Sequence, residues 1–123
     1  MNHSVLIIED EADILDALTG KLTRQNINVL RAKNGEEGLA LALAKRPDLI
    51  LLDLLMPKLG GMDMLKRLRQ DEWGKTVHVI VLTNLSDVAN ISEALSNKVT
   101  EYLVKADWDI DEVAKKINEK LKS

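Results

Sequence analysis

Short runs of apolar residues recur along the chain and predict five β-strands. The runs cover residues 5–8, 27–30, 49–52, 77–82 and 102–104. Most of them lack the alternation of apolar and polar residues that marks a sheet with one face in water. They therefore fit the strands of a parallel sheet that is covered on both faces.

Between these runs, apolar residues recur at the three- and four-residue spacing of an amphipathic helix, which predicts five helices. The residues that carry the spacing are Ile14, Leu15, Leu18 and Leu22, then Leu39 and Leu43, then Leu65 and Leu68, then Val88, Ile91 and Leu95, and finally Val113, Ile117 and Leu121. Strands alternate with helices, so the fold class is α/β: a doubly wound parallel sheet with right-handed crossovers and helices on both faces. A length of 123 residues suits a single domain over residues 1–123.

Two predicted helices begin at residues with capping-box spacing. Asn34 precedes Glu37 by three positions, and Asp109 precedes Glu112 by three. Pro47 should end the second helix and start the third strand. These boundaries support the alternation of elements.

Composition and charge exclude several classes of function. The formal net charge is −3 and the pI is about 5.4, so the chain lacks the basic surface expected of a protein that binds nucleic acid directly. There is no cysteine, and His3 and His78 are far apart, which excludes a disulfide framework and a zinc centre. No apolar run approaches the ~20 residues of a membrane span, and the first residues lack a signal peptide. We expect a cytoplasmic protein.

Polar residues follow four of the five predicted strands. Glu9 and Asp10 follow the first strand and Asp53 the third, while the fourth ends at Thr83 and the fifth runs into Lys105. The carboxyl ends of parallel strands share one edge of the sheet, where ligands bind. Carboxylates about 5 Å apart repel by roughly 3 kcal/mol at an effective dielectric of 20, so a cation is expected among them. Oxygen ligands without histidine or cysteine favour Mg²⁺ and phosphate chemistry.

Each of these residues also has an ordinary structural interpretation. An acid after a strand is often a turn residue or helix N-cap, a lone lysine is usually solvated, and a threonine is a common strand residue. Asp53 is the hardest to interpret this way, because it follows a wholly apolar strand. The joint placement at four strand ends favours a functional site.

Five stretches of the sequence resemble the receiver domain of bacterial two-component response regulators. They are VLIIEDE (residues 5–11), PDLILLDLLMP (47–57), GGMD (60–63), VIVLT (79–83) and YLVK (102–105). The resemblance covers the whole chain. It implies a flavodoxin-like sheet with strand order 2-1-3-4-5, the order of a chemotaxis member of this family, and five helices.

The resemblance implies a role for each acidic residue. Asp53 would accept a phosphoryl group from the phosphohistidine of a histidine kinase or phosphotransfer protein. Asp10, Asp53 and the backbone carbonyl of Leu55 would ligate Mg²⁺, and Glu9 would do so directly or through water. Such a protein is a phosphoacceptor switch that promotes only its own phosphorylation and dephosphorylation, and is not otherwise an enzyme.

The resemblance also implies the residues that sense the phosphoryl group. Lys105 would pair with its oxygens, and Thr83 would swing in to donate a hydrogen bond. Tyr102 would follow Thr83 inward and alter the surface of the fourth helix, fifth strand and fifth helix, where a downstream effector or a second copy would bind. The alternative for Tyr102 is an edge-strand aromatic with its hydroxyl in water.

The sequence departs from the family pattern near the phosphoryl pocket. Ala106 replaces the usual proline after Lys105, so we expect a trans peptide there. Asn84 is larger than the residue the family prefers. Leu55 and Leu85 occupy positions at which the family tunes hydrolysis, and both are apolar, which predicts slow self-dephosphorylation.

Three other functions are alternatives to a phosphoacceptor switch. A phosphatase of the haloacid dehalogenase type needs a second aspartate where Leu55 stands. A flavodoxin needs a hydroxyl-rich phosphate loop, whereas Glu9 and Asp10 would repel phosphate. The remaining alternative is a pseudo-receiver, a protein-interaction module that signals without phosphorylation.

Overall fold

The computed structural model describes residues 3–54, 60–83, 92–93, 96–104 and 109–122. Within these ranges, five parallel strands form one sheet in the order β2-β1-β3-β4-β5. The strands are β1 (Ser4–Ile8), β2 (Asn28–Ala32), β3 (Leu49–Leu52), β4 (His78–Thr83) and β5 (Glu101–Val104). The predicted sheet and its strand order are confirmed, and the strand boundaries agree within two residues.

Four helices lie within the described ranges: α1 (Ala12–Arg24), α2 (Gly35–Lys45), α3 (Gly61–Leu68) and α4 (Ile110–Leu121). The last of these is the fifth predicted helix. The fourth predicted helix, built on Val88, Ile91 and Leu95, falls on residues outside the described ranges, although residues 92, 93 and 96 between β4 and β5 are helical. Among the described residues, no helix has the length and apolar character needed to cross a membrane.

Alternate residues of the central strands point to opposite faces of the sheet and build two apolar cores. The first core packs Val5, Ile7, Leu49 and Leu51 against α1 and α4, with Leu15, Leu18, Val113 and Ile117 supplied by the helices. The second packs Leu6, Ile8, Ile50 and Leu52 against α2 and α3, with Ala42, Met64, Leu65 and Leu68 from the helices. Because β3 is buried along its whole length, its four apolar residues show no alternation, as the sequence predicted.

Side-chain caps begin two of the helices at the predicted residues. The Asn34 Oδ1 atom accepts a hydrogen bond from the Glu37 N–H at 2.9 Å, and the Asp109 Oδ1 atom accepts one from the Glu112 N–H at 2.9 Å. Helix α2 ends at Lys45, and Arg46 adopts a left-handed conformation just before Pro47.

Of the two leucines whose spacing predicted α2, Leu39 packs against the second core, but Leu43 does not. The buried residues of α2 are Gly35, Gly38 and Ala42, whereas Leu43 is 39% exposed. A Cβ on Gly38 would overlap the side chain of Ile8. The helix approaches β1 so closely that small residues face the sheet, and the leucines are displaced to the sides.

Candidate functional site

Strand register brings the ends of β1 and β3 level at the carboxyl edge of the sheet. Ile8 pairs with Leu52, so Glu9 and Asp53 are the next residues on neighbouring strands. Backbone hydrogen bonds continue one step past both strands, from the Asp53 N–H to the Ile8 carbonyl and from the Glu9 N–H to the Ala32 carbonyl, each at 3.0 Å. The backbone beneath both carboxylates is therefore fixed by the sheet.

Three carboxylates converge at this edge. Oxygen atoms of Glu9, Asp10 and Asp53 all lie within 4.8 Å of one another. Glu9 and Asp53 are only 2% and 4% exposed, whereas Asp10 is exposed. At that separation and an effective dielectric of 20, the charges of Glu9 and Asp53 repel by about 3 kcal/mol. The arrangement favours a bound cation, and the predicted convergence of the three side chains is confirmed.

The donor set fits Mg²⁺. All three side chains offer hard carboxylate oxygens, which are the ligands that Mg²⁺ takes in proteins. The exposed Asp10 leaves one side of the cluster open to solvent. An ion held there can keep part of its hydration shell and can also meet a phosphate oxygen, which is the usual coordination of this metal.

Close backbone packing fixes the residues around Asp53. The Gly61 N–H donates to the Leu54 carbonyl at 3.1 Å, and a Cβ on Gly61 would overlap the Asp53 carbonyl oxygen and the Leu54 Cα. The first turn of α3 thus rests directly on the peptide that follows the buried carboxylate. We did not predict this contact, and the glycine pair at residues 60 and 61 was its only signal in the sequence. On the neighbouring strand, Glu9 Oε2 accepts a hydrogen bond from the Glu11 N–H at 3.1 Å.

The two predicted switch residues, Thr83 and Tyr102, lie on the neighbouring strands β4 and β5. Thr83 is the last residue of β4, beside β3, and its backbone is level with Val104 of β5. Its side chain is outside the described part of the structure. Tyr102 is half-buried and packs against the core between the sheet and helices α2 and α3. Both roles proposed for Tyr102 remain predictions.

The remaining predicted site residues lie outside the described ranges. They are Lys105, which follows β5 directly, and Leu55, Asn84, Leu85 and Ala106. Their roles, and the trans peptide expected between Lys105 and Ala106, remain predictions.

Comparison with known proteins gives one consistent family. The sequence model of the response regulator receiver domain matches residues 5–118. The chain is similar to the DNA-binding dual master transcriptional regulator RpaA of Synechocystis sp., with 34% identity over 113 residues that cover 92% of this chain and 46% of RpaA. It is also similar to the transcriptional regulatory protein AfsQ1 of Streptomyces coelicolor, with 37% identity over 102 residues, or 83% of this chain and 44% of AfsQ1.

A solved structure shows the same fold. The receiver domain of the Francisella response regulator 1452 superposes with a TM-score of 0.88 at 31% identity, and the match covers 98% of both chains. The chain spans about half the length of RpaA and AfsQ1.

Proposed function

Because the chain belongs to the response regulator receiver domain family, we propose that it is a phosphorelay switch whose phosphoryl acceptor is Asp53. The observation that carries the proposal is the almost fully buried Asp53 carboxylate, held at the end of β3 with Glu9 and Asp10 within 4.8 Å. A carboxylate oxygen of Asp53 attacks the phosphorus of a phosphohistidine. The phosphorus–nitrogen bond breaks, and its electron pair returns to the imidazole of the donor. The donor is a histidine kinase or a phosphotransfer protein.

Glu9, Asp10 and Asp53 are the residues that would hold Mg²⁺, together with the backbone carbonyl of Leu55. When bound, the ion would supply positive charge that offsets the negative charge of the phosphoryl group, which phosphoryl transfer needs more than covalent assistance. Lys105 pairs with the same oxygens, and the Thr83 hydroxyl donates to one of them.

Intact-protein mass spectrometry tests the acceptor. After incubation with acetyl phosphate and Mg²⁺, the wild-type protein should gain about 80 Da, the mass of one phosphoryl group replacing a proton. EDTA and the substitution Asp53→Asn should each abolish the gain. Asp63→Asn is the matched control, because it removes an exposed carboxylate from the first turn of α3 and should leave the gain intact. A full gain in Asp53→Asn would remove Asp53 as the acceptor.

The output of the switch is a change in the surface that includes β5 and α4, over residues 86–121. We propose that Thr83 and Tyr102 transmit it and that this surface binds a downstream effector or a second copy of the chain in the cytoplasm. RpaA is named as a DNA-binding regulator, so we propose a DNA-binding domain as the effector, and from the net charge of −3 we expect no direct nucleic-acid binding by this chain. Identical hydrogen exchange over residues 86–121 with and without beryllofluoride would contradict this switch.

The phosphoryl group should be lost slowly. Hydrolysis needs a water molecule in line with the bond between Asp53 and phosphorus, and by family resemblance Leu55 and Leu85 flank its approach. Neither side chain can offer that water a hydrogen bond, and Asn84 narrows the pocket. Each missing contact raises the barrier by about 1 kcal/mol, or somewhat under tenfold in rate.

The second candidate is a pseudo-receiver that keeps the fold and signals without phosphorylation. Ala106 and Asn84 favour it, because both depart from the family pattern beside the phosphoryl pocket. The cluster of Glu9, Asp10 and Asp53 argues against it, since a fold that needed no cation would gain from losing these like charges. A wild-type protein that gains no mass with acetyl phosphate and Mg²⁺, while remaining folded, would favour the pseudo-receiver.

A further inference from the structure

A small cavity lies at the opposite edge of the sheet from the carboxylates. Its volume is about 230 Å³, and its lining residues are Arg69, Lys75, Ser96, Asn97 and Lys98. We call it the basic cavity. Arg69 follows α3, Lys75 lies in the turn before β4, and residues 96–98 precede β5. The basic cavity is thus at the amino ends of β4 and β5, whereas the acidic cluster follows the carboxyl ends of β1 and β3.

Arg69 organises this cavity through four hydrogen bonds to backbone carbonyls. Its Nε donates to Asn97 at 2.9 Å, its Nη1 to Gly74 at 2.7 Å and Val77 at 2.9 Å, and its Nη2 to Lys98 at 2.9 Å. A guanidinium has five N–H groups, so one N–H on Nη2 is left over by these contacts. The side chain is a cation whose position is fixed before any ligand arrives.

The charge of Arg69 is not balanced by a carboxylate. All four acceptors are neutral carbonyls, and within the described part of the chain no acidic side chain pairs with Arg69 or Lys98. Burial lowers the pKa of Arg69 from its ordinary value, which reflects the cost of removing this cation from water. The group stays protonated at neutral pH, so an anion nearby would be stabilised.

Two acids near the basic cavity already have partners, and for Glu72 the partner is the lining residue Lys75. Glu93 forms a 2.7 Å ion pair with Lys66, and its hydrogen bond and charge hold the pKa of Lys66 above the ordinary value. Glu72 pairs with Lys75 at 3.0 Å, but the Glu72 side chain is 93% exposed. Exposed pairs of this kind contribute little, so Lys75 can turn toward a ligand at small cost.

We propose that the basic cavity binds a small phosphate-type anion, with Arg69, Lys75 and Lys98 as its cationic contacts. The one remaining N–H of the fixed guanidinium and the two ammonium groups can donate charge-assisted hydrogen bonds to the oxygens of such an anion, and none of the five lining residues carries a carboxylate that would repel it. Cavities for drug-sized organic ligands hold about 300–1,000 Å³, so this smaller volume favours a compact ligand such as a diphosphate.

The site is chemically separate from the proposed phosphoryl pocket. An anion approaches the acidic cluster only when a metal ion offsets most of the negative charge there, whereas the basic cavity needs no metal. Anion binding in the presence of EDTA therefore reports on the basic cavity alone, and its failure would leave the function proposed for Asp53 untouched.

The test is a titration of the ¹⁵N-labelled protein with inorganic pyrophosphate in EDTA at constant ionic strength, followed by NMR. We expect saturable shifts of backbone amides in residues 74–77 and 96–100, with little change at residues 9, 10 and 53. The double variant Lys75→Gln/Lys98→Gln should bind at least tenfold more weakly. The control Lys33→Gln/Lys45→Gln loses the same charge at exposed positions elsewhere and should bind like the wild type.

Three outcomes would overturn the proposal. The first is the absence of saturation, or shifts that sodium chloride reproduces at equal ionic strength. The second is equal weakening in both double variants, which would indicate attraction by net charge alone. The third is unchanged affinity in Lys75→Gln/Lys98→Gln, which would place the anion elsewhere.

Discussion

The two edges of the central sheet differ in how their charged side chains are arranged. At the carboxyl edge, Glu9, Asp10 and Asp53 crowd three like charges within 4.8 Å. At the amino edge, Arg69 links three segments of the chain through four hydrogen bonds, and the Asp48 carboxylate accepts the Ser4 N–H at 2.8 Å. The sheet therefore has a group of like charges at one edge and hydrogen bonds that join segments of the chain at the other.

This difference separates the edge proposed to accept a phosphoryl group from the edge at which Arg69 joins segments of the chain. A group of like charges lowers the free energy of unfolding unless a ligand compensates it, so its presence indicates a ligand. An arginine that joins distant segments through four hydrogen bonds raises the free energy of unfolding. Removing a charged side chain should therefore lower the free energy of unfolding at the amino edge. At the carboxyl edge it should leave the free energy of unfolding unchanged or raise it.

The largest effect is expected from Arg69→Met. This substitution keeps a long apolar side chain but deprives four backbone carbonyls of their donor, at Gly74, Val77, Asn97 and Lys98. We expect the free energy of unfolding to fall by about 3 kcal/mol, measured by urea denaturation.

Arg67→Met is the matched control, because Arg67 is exposed and its side chain makes no hydrogen bond to the described residues. It should change the free energy of unfolding by less than about 0.5 kcal/mol. If both variants lose the same free energy of unfolding, Arg69 would stabilise the fold through its charge alone and not through its four hydrogen bonds.

A smaller effect of the opposite sign is expected from Asp10→Asn at the carboxyl edge. In metal-free buffer, its melting temperature should equal or exceed that of the wild type, because one of three mutually repelling charges is removed. Its affinity for Mg²⁺ should fall by about tenfold.

Asp13→Asn removes an exposed charge of the same kind from the first turn of α1 and should leave the Mg²⁺ affinity unchanged. A large loss of stability in Asp10→Asn would show that Asp10 is a structural cap and that the contrast between the edges is wrong.

The smallest effect concerns the lifetime of the phosphoryl group at the carboxyl edge. Leu55→Asn or Leu85→Gln should speed its loss by somewhat under tenfold without preventing its acceptance, since each adds a polar group that can orient water. Loss of phosphate from the isolated phosphoprotein, followed by mass spectrometry over time, measures the rate. If both variants lose the phosphoryl group at the wild-type rate or more slowly, Thr83 and Lys105 would be the residues that position the attacking water.

The carboxyl edge was predictable from the sequence, and the amino edge was not. Strand ends that carry acids stand out against apolar runs, and parallel pairing brings them together, so the placement of Glu9 and Asp53 followed from local pattern and topology. The contacts of Arg69 with Asn97 and Lys98 span 28 and 29 residues. They use backbone carbonyls, which every residue has, so no residue type at the far end could signal them.

The packing of helix α2 was also only partly predictable from the sequence. The spacing of Leu39 and Leu43 indicated a helix, and the helix is present, but the face that it buries depends on how closely it approaches β1. That distance is set by Gly38 against Ile8. A hydrophobic pattern identifies an element more reliably than it identifies which side faces the core when small residues compete with large ones.

Borohydride trapping is the measurement that tests the central claim most directly. Borohydride delivers hydride to the carbonyl carbon of an acyl phosphate, phosphate leaves, and further reduction converts the aspartate into homoserine, which is about 14 Da lighter than aspartate. Trypsin should release residues 46–58, a peptide that holds both Asp53 and, as an internal control, Asp48. Fragmentation of this peptide from protein treated with acetyl phosphate and Mg²⁺ should place homoserine at position 53 and leave position 48 as aspartate. Homoserine at position 48, with position 53 unchanged, would contradict the account.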